Sequence, residues 1–195
     1  EAKGRKYAGE PELKNDRTFA IIATTPHMDR DREVVLSKGI DLSEWSKTGV
    51  ILDSHNYGEL PIGKAVWVGQ ADRGIKMHIE AAPTQRGDEV IALAKFMTLT
   101  ASIGFIPTQI IDKNHADFPK EMGKLARKFD FLEEKRDSVL RIISKSILLE
   151  NSIVSVPANP NAVQDVLAKA QEAFSAGAID TECLELVTKS FGSVE

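Results

Sequence analysis

Cysteine is almost absent from this chain: the single Cys183 cannot close an internal disulfide, which fits a reducing compartment. No apolar run approaches the ~18 residues that a membrane-spanning helix needs. The opening stretch EAKGRKYAGEPELKND is polar and holds no apolar secretory segment, so an intracellular protein with no membrane partner is expected. A basic surplus is lacking too. With a formal net charge of -4, the totals offer no electrostatic grip on phosphates, and no nucleic-acid partner is expected. His-x-x-x-His and Cys-x-x-Cys pairs are missing, so neither a metal nor a cofactor is expected. The Gly-x-Ser-x-Gly elbow of the α/β-hydrolases is missing as well, along with the strand-helix rhythm that fold requires.

What is present is the material of one globular domain. In 195 residues, 42% are hydrophobic and 28% charged, which is enough apolar matter to bury a core and excludes wholesale disorder. FAIIATT reads as a strand, followed by the turn-like run PHMDRDRE and a second short strand. A helical turn is expected over Ile40 to Trp45, and VIL at 50–52 is a brief strand running into His55. PIGKAVWV and GIKMHIE form a hairpin about the turn 71–74; in its second arm Ile75, Met77 and Ile79 alternate with Lys76, His78 and Glu80, which places His78 toward solvent. GDEVIALAKF reads as a short helix with acidic residues in its first turn. The next segment alternates Leu99, Ala101, Ile103 and Phe105 with Thr98, Thr100, Ser102 and Gly104, the period of a strand. Residues 112–136 are densely charged and read as an insertion or mobile loop with one candidate helix, PKEMGKLARKF. Strand character returns from Val139 to Val156, and AVQDVLAKAQEAF beyond Asn161 has the period of an amphipathic helix. The fold class expected is a β-rich α+β single domain, a closed or nearly closed β-barrel with a few surrounding helices.

Three of these strand-like windows each carry one residue suited to proton or nucleophile chemistry. His55 follows a strand in LDSHN, Ser102 lies within TASIGF, and Glu150 interrupts ILLENSIV. A hydroxyl, an imidazole and a carboxylate are the parts of a nucleophile, its base and the group that orients the base. Gly104, two residues beyond Ser102 on the same face of a strand, would leave open space through which a substrate backbone approaches. Glu150 would share a face with Leu148, Ser152 and Val154, where a carboxylate is costly unless paired. Each residue also has a plain structural reading: a small residue on a packed face, a loop histidine, an edge-strand charge.

In their order and spacing, DRDREVV, GIDLSEW, VILDSHN with PIGKAV, TASIGF and LLENSIVSVPANPNA resemble the prohead protease family of tailed bacteriophages. These HK97-type capsid maturation serine proteases are related in fold to the herpesvirus assemblins. The resemblance runs from about Phe19 to Ala162. It implies an assemblin-like protease domain over 17–162, preceded by a polar segment 1–16 and followed by a helical segment 163–195. It further implies peptide hydrolysis through an acyl-enzyme, with Ser102 as nucleophile, His55 as base and Glu150 orienting the imidazole, Ser152 or Asp53 being alternatives for that third role. The substrates it implies are the major capsid protein and the scaffold protein, cut inside the assembling procapsid in the bacterial host cytoplasm, with self-cleavage and a homodimer as further expectations. Two other classes stay open on the sequence: a catalytically silent capsid-assembly module that keeps the fold, and a small β-barrel binding domain.

Overall fold

In the computed structural model, residues 9–13 and 15–164 are described, together with 174, 175, 177, 180, 181 and 183. The amphipathic helix expected beyond Asn161 does not begin there, since Val163 and Gln164 bridge to Thr100 and Ile21, and its remainder falls almost wholly outside the described residues. Within them the chain is a mixed, sheet-rich α+β fold. Its strands are β1 (Thr18–Thr24), β2 (Glu33–Val35), β3 (Ile40–Asp41), β4 (Val50–Asp53), β5 (Gly63–Ala71), β6 (Gly74–Ala81), β7 (Thr100–Asp112) and β8 (Arg141–Val154), with helices α1 (Gln85–Phe96) and α2 (Phe118–Lys128). The helical turn falls at Trp45–Lys47, slightly later than its sequence suggests.

One sheet holds all eight strands in the order β1-β6-β5-β4-β8-β2, and β3 and β7 also pair with β8. Strand β8 is the spine. Along one edge it runs antiparallel to the whole of β7, and along the other it takes β2, β3 and β4 in succession, all parallel. The sheet curls into a half-barrel and does not close, which corrects the barrel expectation. Closure would require β1 to pair with β7. Among the described residues that gap is spanned by 162–164, where Ala101 N–H donates to Ala162 O (2.8 Å), Ile22 N–H to Val163 O (2.9 Å) and Gln164 N–H to Leu99 O (2.7 Å). These are isolated bridges and not a ladder.

The main core fills the concave side, with Ile21, Ile51, Met77, Ile79, Ala101, Leu148 and Ile153 meeting Val90 and Ala94 of α1. Thr84 caps α1 by accepting from Gly87 N–H. Residues 112–136, expected to be an insertion or mobile loop with one candidate helix, form α2 and carry a core of their own. Phe118, Met122, Leu125 and Ala126 lie three or four apart, so they form one stripe of α2, and they pack with Phe129, Leu132, Val139, Val34 and Ile142 into a second core. The cations of α2, Lys120, Lys124, Arg127 and Lys128, are exposed on the other side of that stripe.

A second correction concerns β6. Lys76 and His78 are buried and do not face solvent, because residues 9–13 lie across the outer face of the strand. Glu10 Oε1 stands 2.5 Å from Lys76 Nζ and 3.0 Å from His78 Nε2, and the Trp67 ring packs against the imidazole. Alternation along β6 thus separates two buried faces, one apolar and one ionic. Period alone cannot tell an ionic face covered by another segment from a wet one.

The DRDRE turn is tied to the end of β8. Arg30 N–H donates to Ala158 O, its guanidinium reaches Pro157 O, and the Asp29 carboxylate accepts from the N–H groups of Asp31 and Glu33. Burial, reinforced by the charges of Glu33 and Asp31, raises Asp29 to about 6 against these backbone bonds. Because the folded-state value lies above the unfolded one, ionisation of Asp29 opposes folding above about pH 6, and the penalty fades as pH falls through that value. Asp29→Asn keeps an acceptor oxygen and removes the charge. It should therefore gain more stability, relative to the parent chain, at pH 7 than at pH 5 in urea unfolding. Met122→Ala, at a fully buried position of the second core, should lose about 2–5 kcal/mol in the same assay, where a solvated loop would show almost no change.

Candidate active site

Strand β8 supplies two polar side chains to the convex face. Its register with β7 sets Glu150 opposite Gly104 and Ser152 opposite Ser102, and then Leu148 opposite Phe105, so Leu149 is the extra residue of a β-bulge. Adjacent residues on β7 face opposite ways, and directly opposed residues face the same way. Leu148 is thereby turned into the main core, whereas Glu150, Ser152, Ser102 and Gly104 share the other face. Simple alternation along β8 would put Leu148 beside Glu150; the bulge separates them.

His55 arrives from β4. The parallel register pairs Leu52 with Ser152 and Asp53 with Ile153, and Ser54 N–H continues it by donating to Ile153 O at 2.9 Å. The chain then turns sharply. Ser54 and His55 have φ of 53° and 58°, and Asn56 N–H closes onto Asp53 O at 2.9 Å, the pattern of a type I′ turn made without glycine. Two consecutive non-glycine residues in the left-handed region cost about 1–2 kcal/mol each. Tertiary bonds hold them there. His55 N–H donates to Ser152 Oγ (3.1 Å), and His55 Nδ1 lies 2.7 Å from Glu150 Oε1.

Glu150 is 1% exposed, while 39% of the His55 side chain remains open to solvent. The second carboxylate oxygen, Oε2, accepts from the Ser152 hydroxyl at 2.5 Å. An acceptor-only carboxylate at Nδ1 fixes the proton of the neutral imidazole on that nitrogen and leaves Nε2 as a proton acceptor. Ser152 thus serves both partners, bonding the carboxylate through its O–H and receiving the backbone of His55. Asp53, the other alternative for the orienting role, is engaged elsewhere. The Ser54 hydroxyl donates to it at 2.8 Å and Arg86 pairs with it at 3.1 Å, and together they hold its carboxyl below the usual range.

Ser102 is buried and stands across the ladder from Ser152, with side chains of such pairs rooted roughly 4.5–5.5 Å apart. Among the described residues no hydrogen bond joins its hydroxyl to the imidazole. The structure therefore brings His55, Glu150 and Ser152 into direct contact and sets Ser102 beside them on the same face.

Two participants were hidden in the sequence. Gly104 does not leave open space: a Cβ there would lie 2.3 Å from Glu150 Oε1 and 2.8 Å from Tyr57 Oη, so the glycine makes room for the carboxylate. Tyr57, which the sequence marks only as part of a loop, brings its hydroxyl to that spot. Although Tyr57 is 66% exposed, partial desolvation of its phenol, followed by the nearby Glu150 charge, pushes its ionisation upward. The remaining histidines have other partners. His27 stacks on Phe131 and bonds Thr25, His78 meets Glu10, and His115 sits in the turn before α2. No group of three metal-ligating side chains occurs among the described residues.

No protein family, curated protein or solved structure matches the chain.

Gly104→Ala should displace the Glu150 carboxylate from Nδ1. Long-range proton-nitrogen NMR of the neutral imidazole should show the Nδ1–H tautomer for His55 in the parent chain and a mixture in Gly104→Ala, with about 1–3 kcal/mol of overpacking cost. An unchanged tautomer in the variant would remove the glycine from the site.

Proposed function

We propose that this chain is a serine endopeptidase acting through Ser102, His55 and Glu150. The observation that carries the reading is the His55–Glu150 pair, buried at the carboxylate and open at the imidazole, on the sheet face that also bears Ser102. A histidine with a sealed carboxylate at one nitrogen and access at the other is built to accept a proton from outside the protein's own core.

In this mechanism Ser102 Oγ attacks the carbonyl carbon of the scissile peptide bond as its proton passes to His55 Nε2. Glu150 stabilises the imidazolium through the Nδ1 bond. Collapse of the tetrahedral intermediate breaks the C–N bond, and the imidazolium gives its proton to the leaving amine. A water then repeats the sequence on the ester, giving up a proton to Nε2 and releasing the carboxylic acid and the free serine. Backbone N–H groups would hold the oxyanion. Ser152 acts through Glu150 and His55 and is a positioning residue.

The resemblance to the prohead proteases supplies the biological setting: cleavage of the scaffold protein or the scaffold-like part of the major capsid protein within the procapsid, with self-cleavage. Confinement there raises the effective concentration of substrate, so modest catalytic power suffices. Among the described residues no helix is long and apolar enough to cross a membrane. A silent assembly module of the same fold is the second reading, favoured by the lack of a hydrogen bond between Ser102 and the imidazole.

Co-expression with a capsid or scaffold substrate tests the proposal. Ser102→Ala and His55→Ala should each cut cleavage by on the order of 10³-fold or more, and the double variant should be little worse than either. Glu150→Gln should fold and lose less. Full cleavage by Ser102→Ala would end the mechanism.

A further inference from the structure

We propose that the exposed side of α2 docks an acidic peptide segment of a partner protein, with one carboxylate of that segment clasped by Arg127 and Arg136 above Gly123. The inference does not depend on the endopeptidase reading. Helix α2 packs on Val139 and Ile142, at the beginning of β8. Glu150 stands eight residues beyond Ile142 on that strand, roughly 25 Å away.

Helical spacing gathers the cations of α2. Lys120, Lys124, Arg127 and Lys128 are separated by three- and four-residue steps and share one exposed face. Two of them are committed: Lys124 Nζ stands 2.6 Å from Glu121 Oε1, and Lys128 Nζ stands 2.8 Å from Asp72 Oδ1. Among the described residues Lys120 and Arg127 have no acidic partner, and neither does Arg136, which enters from the turn Arg136–Ser138.

The two guanidinium groups converge on one point. A Cβ at Gly123 would lie 3.5 Å from Arg136 Nη2 and 3.7 Å from Arg127 Nη1. Like charges brought over one spot repel. Acids that could separate them are close in the chain, since Glu133, Glu134 and Asp137 all lie within three residues of Arg136, yet none of them pairs with either arginine. Both guanidiniums reach over the glycine instead. Its missing side chain leaves a recess between them in the interior of a helix, where glycine is otherwise unfavourable. A carboxylate placed there receives N–H donors from two sides, and its planar pair of oxygens matches the guanidinium fork.

The surroundings choose among anions. Glu121, Glu133, Glu134 and Asp137 are near neighbours in the chain, and the protein as a whole carries a formal charge of -4. A nucleic-acid strand, with a charge at every nucleotide, would meet repulsion along its length. A peptide can space its carboxylates. One then sits between the arginines and a second reaches Lys120, which lies one turn before Gly123 on the same face.

The full chain is titrated, by fluorescence anisotropy at low salt, against a labelled peptide of Glu-Ser repeats, its Gln-Ser counterpart and a labelled single-stranded oligothymidylate. Binding of the Glu-Ser peptide, with the other two at least about 10-fold weaker, is expected. Arg127→Lys combined with Arg136→Lys keeps both charges and removes the forks, and should weaken the Glu-Ser peptide about 10-fold or more. Lys124→Gln combined with Lys128→Gln removes two charges from the same helix outside the recess, and should weaken it by no more than about 3-fold. All four positions are exposed, and circular dichroism verifies that each variant is folded. No binding of the Glu-Ser peptide, equal binding by the double Arg→Lys variant, a larger loss in the double Lys→Gln variant, or tighter binding of the oligothymidylate would each overturn the assignment.

Discussion

Strand β8 must satisfy hydrogen-bonding partners on both of its edges, and every part of the candidate site takes its position from that requirement. One edge is occupied by β7 and the other by three short parallel strands from far earlier in the chain. Glu150 and Ser152 belong to β8 itself, Ser102 is set by the antiparallel register, and His55 is delivered by the parallel one. A slip of one residue in either ladder would turn the corresponding side chain to the opposite face. The bulge at Leu149 serves the same end, since it lets Leu148 fill the core while Glu150 stays on the convex side.

Electrostatics then separates two buried acids that composition makes look alike. Glu10 is enclosed with Lys76 and His78 beneath the N-terminal segment, all of them nearly inaccessible. Glu150 is equally buried, yet its imidazole partner reaches solvent. Burial of a carboxylate is tolerable only when its lone pairs are met, and both glutamates meet that condition. Only one does so with a group that can pass a proton outward. The left-handed backbone at Ser54 and His55 has the same origin: an unfavourable local conformation kept because the bonds to Ser152 and Glu150 outweigh it.

Much of this was legible in the sequence, and the failures share a cause. The β5–β6 hairpin, α1, the strand around Ser102 and the return to strand before Pro157 all follow from local period and turn residues. Pairing of His55 with Glu150 was expected from their chemistry and from family resemblance. What stayed hidden depended on segments distant in sequence. His78 reads as solvent-facing until residues 9–13 cover it, and Gly104 reads as open until Glu150 and Tyr57 occupy the space above it. The charged run 112–136 is unanchored by average composition, yet Phe118, Met122, Leu125 and Ala126 on one helical stripe tie it to a core. Openness of the barrel could not be read either, since it turns on whether β1 meets β7 or only the bridging residues 162–164.

The parallel pairing of β2, β3 and β4 with β8 also bears on how the chain is made. These three strands leave the ribosome early, and the strand that covers their edges follows about 90 to 105 residues later. At translation rates of about 5–20 residues per second that interval is roughly 5–20 s. Throughout it, the nascent chain presents unpaired backbone edges flanked by apolar side chains, a template for association with neighbouring chains. Two features shorten the hazard. The early strands are only two to four residues long, and the β5–β6 hairpin that shields β4 on one side forms from adjacent sequence. Completion of the fold is nevertheless tied to the arrival of β8, so the groups of the candidate site are assembled last, after nearly the whole described chain has been synthesised.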